Sequence, residues 1–120
     1  TSVAACLLFN PALTVSEGDA PENNALHYAT GAMPPSILFF GTEDPWKKSA
    51  DAWYETTKKK GTINIEFWVA PHEKHGFFNR KPWDDITLIE SDRFLVGLGL
   101  LKAKTTLLPP AGGEKLVKLP

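Results

Sequence analysis

Two residues in this chain combine a suitable type with a suitable placement for chemistry, Asp44 and His75. Asp44 follows the apolar run Ser36-Ile37-Leu38-Phe39-Phe40 by the turn Gly41-Thr42-Glu43. His75 follows the run from Ile63 to Ala70 by the loop Pro71-His72-Glu73-Lys74. In an open α/β sheet, polar residues just past the C-terminal ends of parallel strands meet in one crevice. There a carboxylate can accept a hydrogen bond from an imidazole, fix its tautomer and stabilise its charged form. The other ring nitrogen is then able to take a proton from a nucleophile. Taken singly, an aspartate beside Pro45 is a turn or helix-capping residue, and a loop histidine is a surface residue. The matching position of His75 favours the pairing role for Asp44, and for His75 the segment that follows it, Gly76-Phe77-Phe78-Asn79, does so. Glu43, one residue before Asp44, is the second-choice carboxylate.

Other candidates are weaker. His72, Glu73 and His75 suggest a metal, but the histidines are three apart in a loop that follows a proline. The H-E-x-x-H pattern needs them four apart on a helix, so no metal is expected. Cys6, the only cysteine, lies in the apolar run Val3 to Phe9 with no basic neighbour, and reads as a small buried hydrophobe. The lysines Lys58-Lys59-Lys60 read as a solvated helix end.

The elements that would position Asp44 and His75 follow from periodicity. The chain has 120 residues, 42% hydrophobic and 22% charged, which is ordinary globular composition for one domain or part of one. Its net charge of -1 gives no electrostatic reason to expect a nucleic-acid or anionic-membrane partner. No apolar stretch is long enough to span a membrane. The start lacks the charged lead of a signal peptide, so no compartment follows from it, and its immediate apolar run reads as a chain cut inside a larger fold.

Val3 to Phe9, ended by Asn10-Pro11, suits a strand buried on both faces of a parallel sheet. Pro11 to Pro35 is polar and irregular, with a short helix expected around Asn24 to Thr30; the loop from Asn10 to Thr30 is long enough to border a cleft. Ser36 to Phe40 forms a second strand. A helix from Trp46 to Lys60 then places Trp46, Ala50, Trp53, Tyr54 and Thr57 on one stripe, with Gly61 as its cap. Trp46, Trp53 and Trp68 are expected in the core. A third strand, Ile63 to Ala70, is followed by a loop and by a helix opened by Pro82. Asp84 and Asp85 suit that helix's N-terminus, and Leu88, Ser91, Phe94, Leu95 and Leu98 form its expected inner face. Residues 102–120 read as a peripheral tail to a domain part spanning 1–101. Alternating strands and helices imply an α/β fold with parallel strands covered by helices. Three strands would leave one apolar edge unpaired, a further sign of an incomplete sheet.

Three segments carry a resemblance. Pro34-Pro35-Ser36-Ile37-Leu38-Phe39-Phe40-Gly41-Thr42-Glu43-Asp44-Pro45 resembles the strand and acid turn of α/β-hydrolases. His75-Gly76-Phe77-Phe78-Asn79 resembles the histidine loop of their esterase and acyl-peptidase-like branches, including dienelactone hydrolases and acetyl xylan or feruloyl esterases. Phe94 to Leu101 resembles the end of the last helix in the same families. The resemblance covers Val3 to Leu101. It implies the C-terminal portion of an α/β-hydrolase fold with Asp44 as acid and His75 as base, and no metal or organic cofactor.

The family's G-x-S-x-G elbow is missing from this sequence. Ser2, Ser16, Ser36, Ser49 and Ser91 lack its glycines and setting, and no His-Gly-Gly-type oxyanion loop is present. The implied enzyme is therefore a carboxylic ester hydrolase whose serine is supplied by an upstream N-terminal half or by a second chain. Its substrate would be a small-molecule or polysaccharide-linked ester, and a peptidase is a close variant. Phe77, Phe78 and Trp83 would wall the substrate site, although packing of the last helix accounts for them equally well. The rival class is a non-catalytic hydrolase-like binding module or remnant. A flavodoxin-like domain would need a phosphate-cradling glycine loop, which is absent.

Overall fold

The computed structural model describes residues 2–13, 22, 24–25, 33–61, 64–103 and 105–120. Most of the loop from Asn10 to Thr30, with its expected short helix, lies outside the described residues, as does Ile63. The elements in order are β1 (Cys6–Phe9), β2 (Ser36–Gly41), α1 (Lys47–Lys59), β3 (Ile65–Ala70), α2 (Trp83–Gly97) and β4 (Val117–Lys118). They build a mixed α/β fold around one sheet of order β1-β2-β3-β4. β1 and β3 run parallel to β2 on either side, whereas β4 returns antiparallel along β3.

The continuous apolar run of β2 is explained by its central place. Ile37, Leu38, Phe39 and Phe40 have no exposed surface. Because successive side chains of a strand point to opposite faces, these four serve two cores. Leu38 and Phe40 join Trp53, Tyr54, Phe67 and Val69 beneath α1. Ile37 and Phe39 join Phe77, Trp83, Ile86 and Phe94 beneath α2. Each large side chain buried this completely contributes roughly 1.5–3 kcal/mol. One helix on each face thus covers a mainly parallel sheet.

The α1 stripe is buried through Ala50, Trp53, Tyr54 and Thr57, and Gly61 ends the helix in a left-handed conformation (φ 81°), its N–H donating to the Lys58 carbonyl. Trp46 departs from expectation. It sits in the turn before α1 and is 44% exposed, because the first residue able to reach the core lies one turn further along. Trp53 is buried and Trp68 is partly covered. In α2 the inward set is Trp83, Ile86, Thr87, Ser91 and Phe94, with Leu95 and Leu98 at its margin. Leu88 is half exposed: it stands about 100° round the helix from Thr87 and faces away from the sheet.

The expectation of three strands is corrected by the tail, whose last residues form β4. Leu119 N–H donates to the Phe67 carbonyl at 2.7 Å and Lys58 Nζ to the Pro120 carbonyl at 2.7 Å. The outer edge of β3 is therefore partly covered, whereas β1 has no outer partner among the described residues. The tail is also held electrostatically. Glu66 on β3 accepts hydrogen bonds from Trp68 Nε1 and from Arg93 on α2, and Lys118 Nζ lies 3.6 Å from it. Arg93 and Lys118 both lie over the Trp68 ring, at 5.6 and 5.9 Å from its centroid. No helix among the described residues is long and apolar enough to cross a membrane.

Burial alone would raise the Glu66 carboxyl, but the Trp68 and Arg93 hydrogen bonds and the charges of Arg93 and Lys118 outweigh it. The group titrates below its ordinary value. A lowered folded-state value means that the stabilisation is complete above the ordinary glutamate range and is lost as pH falls through the lowered value. Glu66→Gln should therefore cost about 1 kcal/mol or less at pH 7, and nothing at a pH where the wild-type carboxyl is protonated. Thermal unfolding midpoints of both proteins from pH 7 to 2.5 measure this; a difference independent of pH would show that the charge contributes nothing.

Candidate active site

β1, β2 and β3 are parallel, so their C-terminal ends, Phe9, Gly41 and Ala70, open on one rim of the sheet. The residues next past those ends include Asn10, Asp44 and His75, and all three meet. His75 Nδ1 is 3.0 Å from Asp44 Oδ2. A carboxylate has no proton to donate, so this contact places the ring proton on Nδ1 and the lone pair on Nε2. The Asp44 side chain is completely buried, whereas that of His75 is 54% exposed. The carboxylate is thus hidden from water beneath an imidazole open to it, and the two residues share the rim on which their sequence positions place them.

A buried carboxylate needs hydrogen bonds to offset its lost hydration. Asp44 has them on both oxygens. Oδ1 accepts the Trp46 backbone N–H at 2.8 Å, which is the turn-forming role of an aspartate before a helix. Oδ2 accepts the Asn10 side-chain amide at 2.7 Å in addition to the imidazole. The turn role and the pairing role thus coexist, one on each oxygen.

The loop carrying His75 is held against the acid turn by its backbone. Glu43 N–H donates to the Glu73 carbonyl at 2.9 Å, and His72 N–H to Thr42 Oγ1 at 2.8 Å. Gly41 makes this approach possible. A Cβ at that position would lie 2.0 Å from the Glu73 carbonyl oxygen. The Glu73 carboxylate secures the other side of the loop, accepting from Trp83 Nε1 at 2.8 Å and from Arg80.

Glu43 is not at His75. It lies 3.8 Å from His72 on exposed surface. His72, Glu73 and His75 each turn to a different partner, and no group of three potential metal ligands occurs among the described residues. Ser36, Ser49 and Ser91 donate to backbone carbonyls of Pro34, Trp46 and Thr87. Among the described serines none hydrogen-bonds His75, and Ser16 lies outside the described residues.

The three aromatic residues nominated for the substrate wall divide. Phe77 has no exposed surface and Trp83 only 4%; their rings pack edge to face at 5.6 Å in the core under α2. Phe78 keeps a partly exposed face. It packs on Phe9 at 5.1 Å and lines an open apolar cavity of about 310 Å³ with Phe9, Asp84, Thr87 and Leu88.

Asn10 is the site residue that sequence reading missed. Asn-Pro after an apolar run signals a strand stop, and that signal hid its position. It follows β1 on the same rim where Asp44 follows β2 and His75 follows β3.

No protein-family model matches the chain, and no curated protein does. Solved structures do. Esterase 2 of Thermogutta terrifontis phosphoramylated by tabun is 31% identical with a TM-score of 0.75, the match covering 84% of this chain and 44% of that one. The same esterase phosphorylated by paraoxon gives 32% identity and a TM-score of 0.75, over 84% of this chain and 42% of that one. Its propionate-bound form, described as a thermophilic esterase from a Planctomycetes species, gives 29% and 0.71, over 87% and 46%. The chain thus has part of an α/β-hydrolase fold and spans less than half the length of the esterases that it matches.

Proposed function

We propose that this chain supplies the acid and base of a carboxylic ester hydrolase with a Ser-His-Asp triad. The serine and the oxyanion hole lie in a segment outside it, the N-terminal half of the same protein or a second chain. The observation that carries the reading is the 3.0 Å contact between a fully buried carboxylate and a half-exposed imidazole at the sheet rim. The likeness in fold to an esterase that is phosphorylated by paraoxon also supports it.

In the proposed reaction His75 Nε2 takes the serine proton as that hydroxyl attacks the ester carbonyl. Asp44 holds the ring and stabilises the imidazolium. The proton then passes to the leaving alcohol, and water repeats the sequence on the acyl-enzyme. No step calls on a metal or an organic cofactor. The acyl or alcohol portion would lie against Phe78, with Phe77 and Trp83 supporting that wall from beneath. The substrate class is a small or polysaccharide-borne carboxylic ester. A place in the dienelactone hydrolase and acetyl xylan or feruloyl esterase-like branch is part of the same proposal.

A fluorophosphonate probe applied to the complete protein carrying this chain tests it. Labelling of one serine outside residues 1–120, blocked by prior treatment with paraoxon, is expected. Absence of labelling in the folded complete protein would reject a serine hydrolase and leave a non-catalytic binding module as the better reading.

A further inference from the structure

Asn10 is 8% exposed and held in the left-handed region (φ 46°), a conformation that asparagine tolerates better than most residues. Both ends of its amide are committed. Nδ2 donates to Asp44 Oδ2 at 2.7 Å and is 3.4 Å from the Phe39 carbonyl; Oδ1 accepts the Gly76 N–H at 2.9 Å. Gly76 immediately follows His75. One planar amide therefore bridges the acid to the backbone that carries the base, and does so from a third strand.

We infer that Asn10 is a positioning residue of the Asp44–His75 pair, setting the distance and the proton placement between them; this rests on the hydrolase reading above. An amide suits the task because it must donate at one end and accept at the other, which neither an ionised aspartate nor leucine can do at that size. Its N–H shares the Oδ2 atom that faces the imidazole. That donor fixes the carboxylate oxygen on the side of the ring nitrogen, so the carboxylate cannot rotate away from His75 without losing the Asn10 bond. The Gly76 contact limits how far the exposed imidazole can swing from the buried acid. Among the described residues, the titratable groups facing Asn10 are Asp44 from the turn after β2, which its amide contacts, and His75 from the loop after β3, whose neighbour Gly76 it contacts. The Glu43–His72 pair lies on the same two loops at the surface.

Two variants of the complete protein test the inference. Asn10→Gly removes the amide and keeps the backbone conformation. It should lower kcat about tenfold to a hundredfold, as loss of an outer-shell partner does elsewhere, with KM within about threefold. Asn10→Asp retains the acceptor for Gly76 but donates to Asp44 only while the two carboxylates share a proton. Carboxylates this close hold such a proton above the usual range. Its activity relative to wild type should therefore be highest at the acidic end of the profile and fall as pH rises. A residue that merely closes the strand would give an Asn10→Asp profile parallel to wild type.

Nitrogen-15 spectra of His75 supply a readout independent of turnover: one tautomer, protonated on Nδ1, in wild type and a mixture in folded Asn10→Gly. Wild-type protein without esterase turnover would sink the hydrolase reading, while these spectra still judge Asn10. An Asn10→Gly protein with wild-type kcat, or with an unchanged His75 spectrum, overturns the positioning role.

Discussion

Exchange of His75 for alanine in the complete protein should lower kcat/KM for a simple ester about ten-thousandfold or more. In the proposed triad the members act as a unit, so loss of the proposed base removes most of what the triad contributes and leaves only binding and oxyanion stabilisation. Stability should move little, by about 1 kcal/mol or less. The ring is half exposed, and Asp44 keeps the Asn10 amide and the Trp46 N–H as partners. Asp44→Asn should produce a comparable fall for a different reason. An amide can present its N–H to the imidazole, favour the wrong tautomer and leave Nε2 unable to accept a proton. Steady-state kinetics with circular dichroism on the same samples separates lost chemistry from lost fold. Substantial turnover in folded His75→Ala would exclude the residue as the base.

The second large effect is expected at a residue outside the Asp44–His75 pair. Gly41→Ala should destabilise the protein by about 3 kcal/mol and abolish turnover together. The new Cβ would fall 2.0 Å from the Glu73 carbonyl oxygen, 2.4 Å from its carbon and 3.0 Å from Lys74 N. All three are backbone atoms, so no side chain can rotate away. Relief requires the His75 loop to lift from β2, losing the Glu43 N–H bond to Glu73 and the His72 N–H bond to Thr42. Overpacking costs about 1–3 kcal/mol and each lost hydrogen bond about 1 kcal/mol, which sets the estimate. The loop carries His75, the proposed base, so its displacement separates His75 from Asp44. Denaturant unfolding and kinetics on one sample test the coupling. A Gly41→Ala protein with wild-type stability and turnover would show that the two loops are not in contact in solution.

The same residue shows how far sequence reading reaches. Gly41 is legible as the end of a strand and as part of the acid turn, but its requirement for a missing side chain comes from Glu73, thirty-two positions away. Asp44 and His75 were legible because each follows an apolar run, and the parallel sheet turns that local placement into a shared rim. Asn10 occupies the equivalent place after β1. Its neighbour Pro11 gives the same signal whether the asparagine ends a strand or braces a site. The aromatic residues of the His75 loop and of the start of α2 were nominated without their orientations. Which of Phe77, Phe78 and Trp83 keeps an open face depends on how α2 seats against β2.

Local pattern was sufficient where the physics is local. The run of β2 needs burial on both faces, the stripe of α1 needs one apolar side, and a left-handed cap needs Gly61; each is written in consecutive residues. Neighbouring residues could not supply the fourth strand, because Val117–Lys118 has no strand character apart from the edge of β3 that it pairs with. The outward Trp46 and Leu88, the Asn10 bridge and the close approach of Glu73 to Gly41 were likewise settled only when distant segments packed. A side chain's partner is fixed by which surfaces meet in space, and the sequence specifies those meetings only through the whole fold.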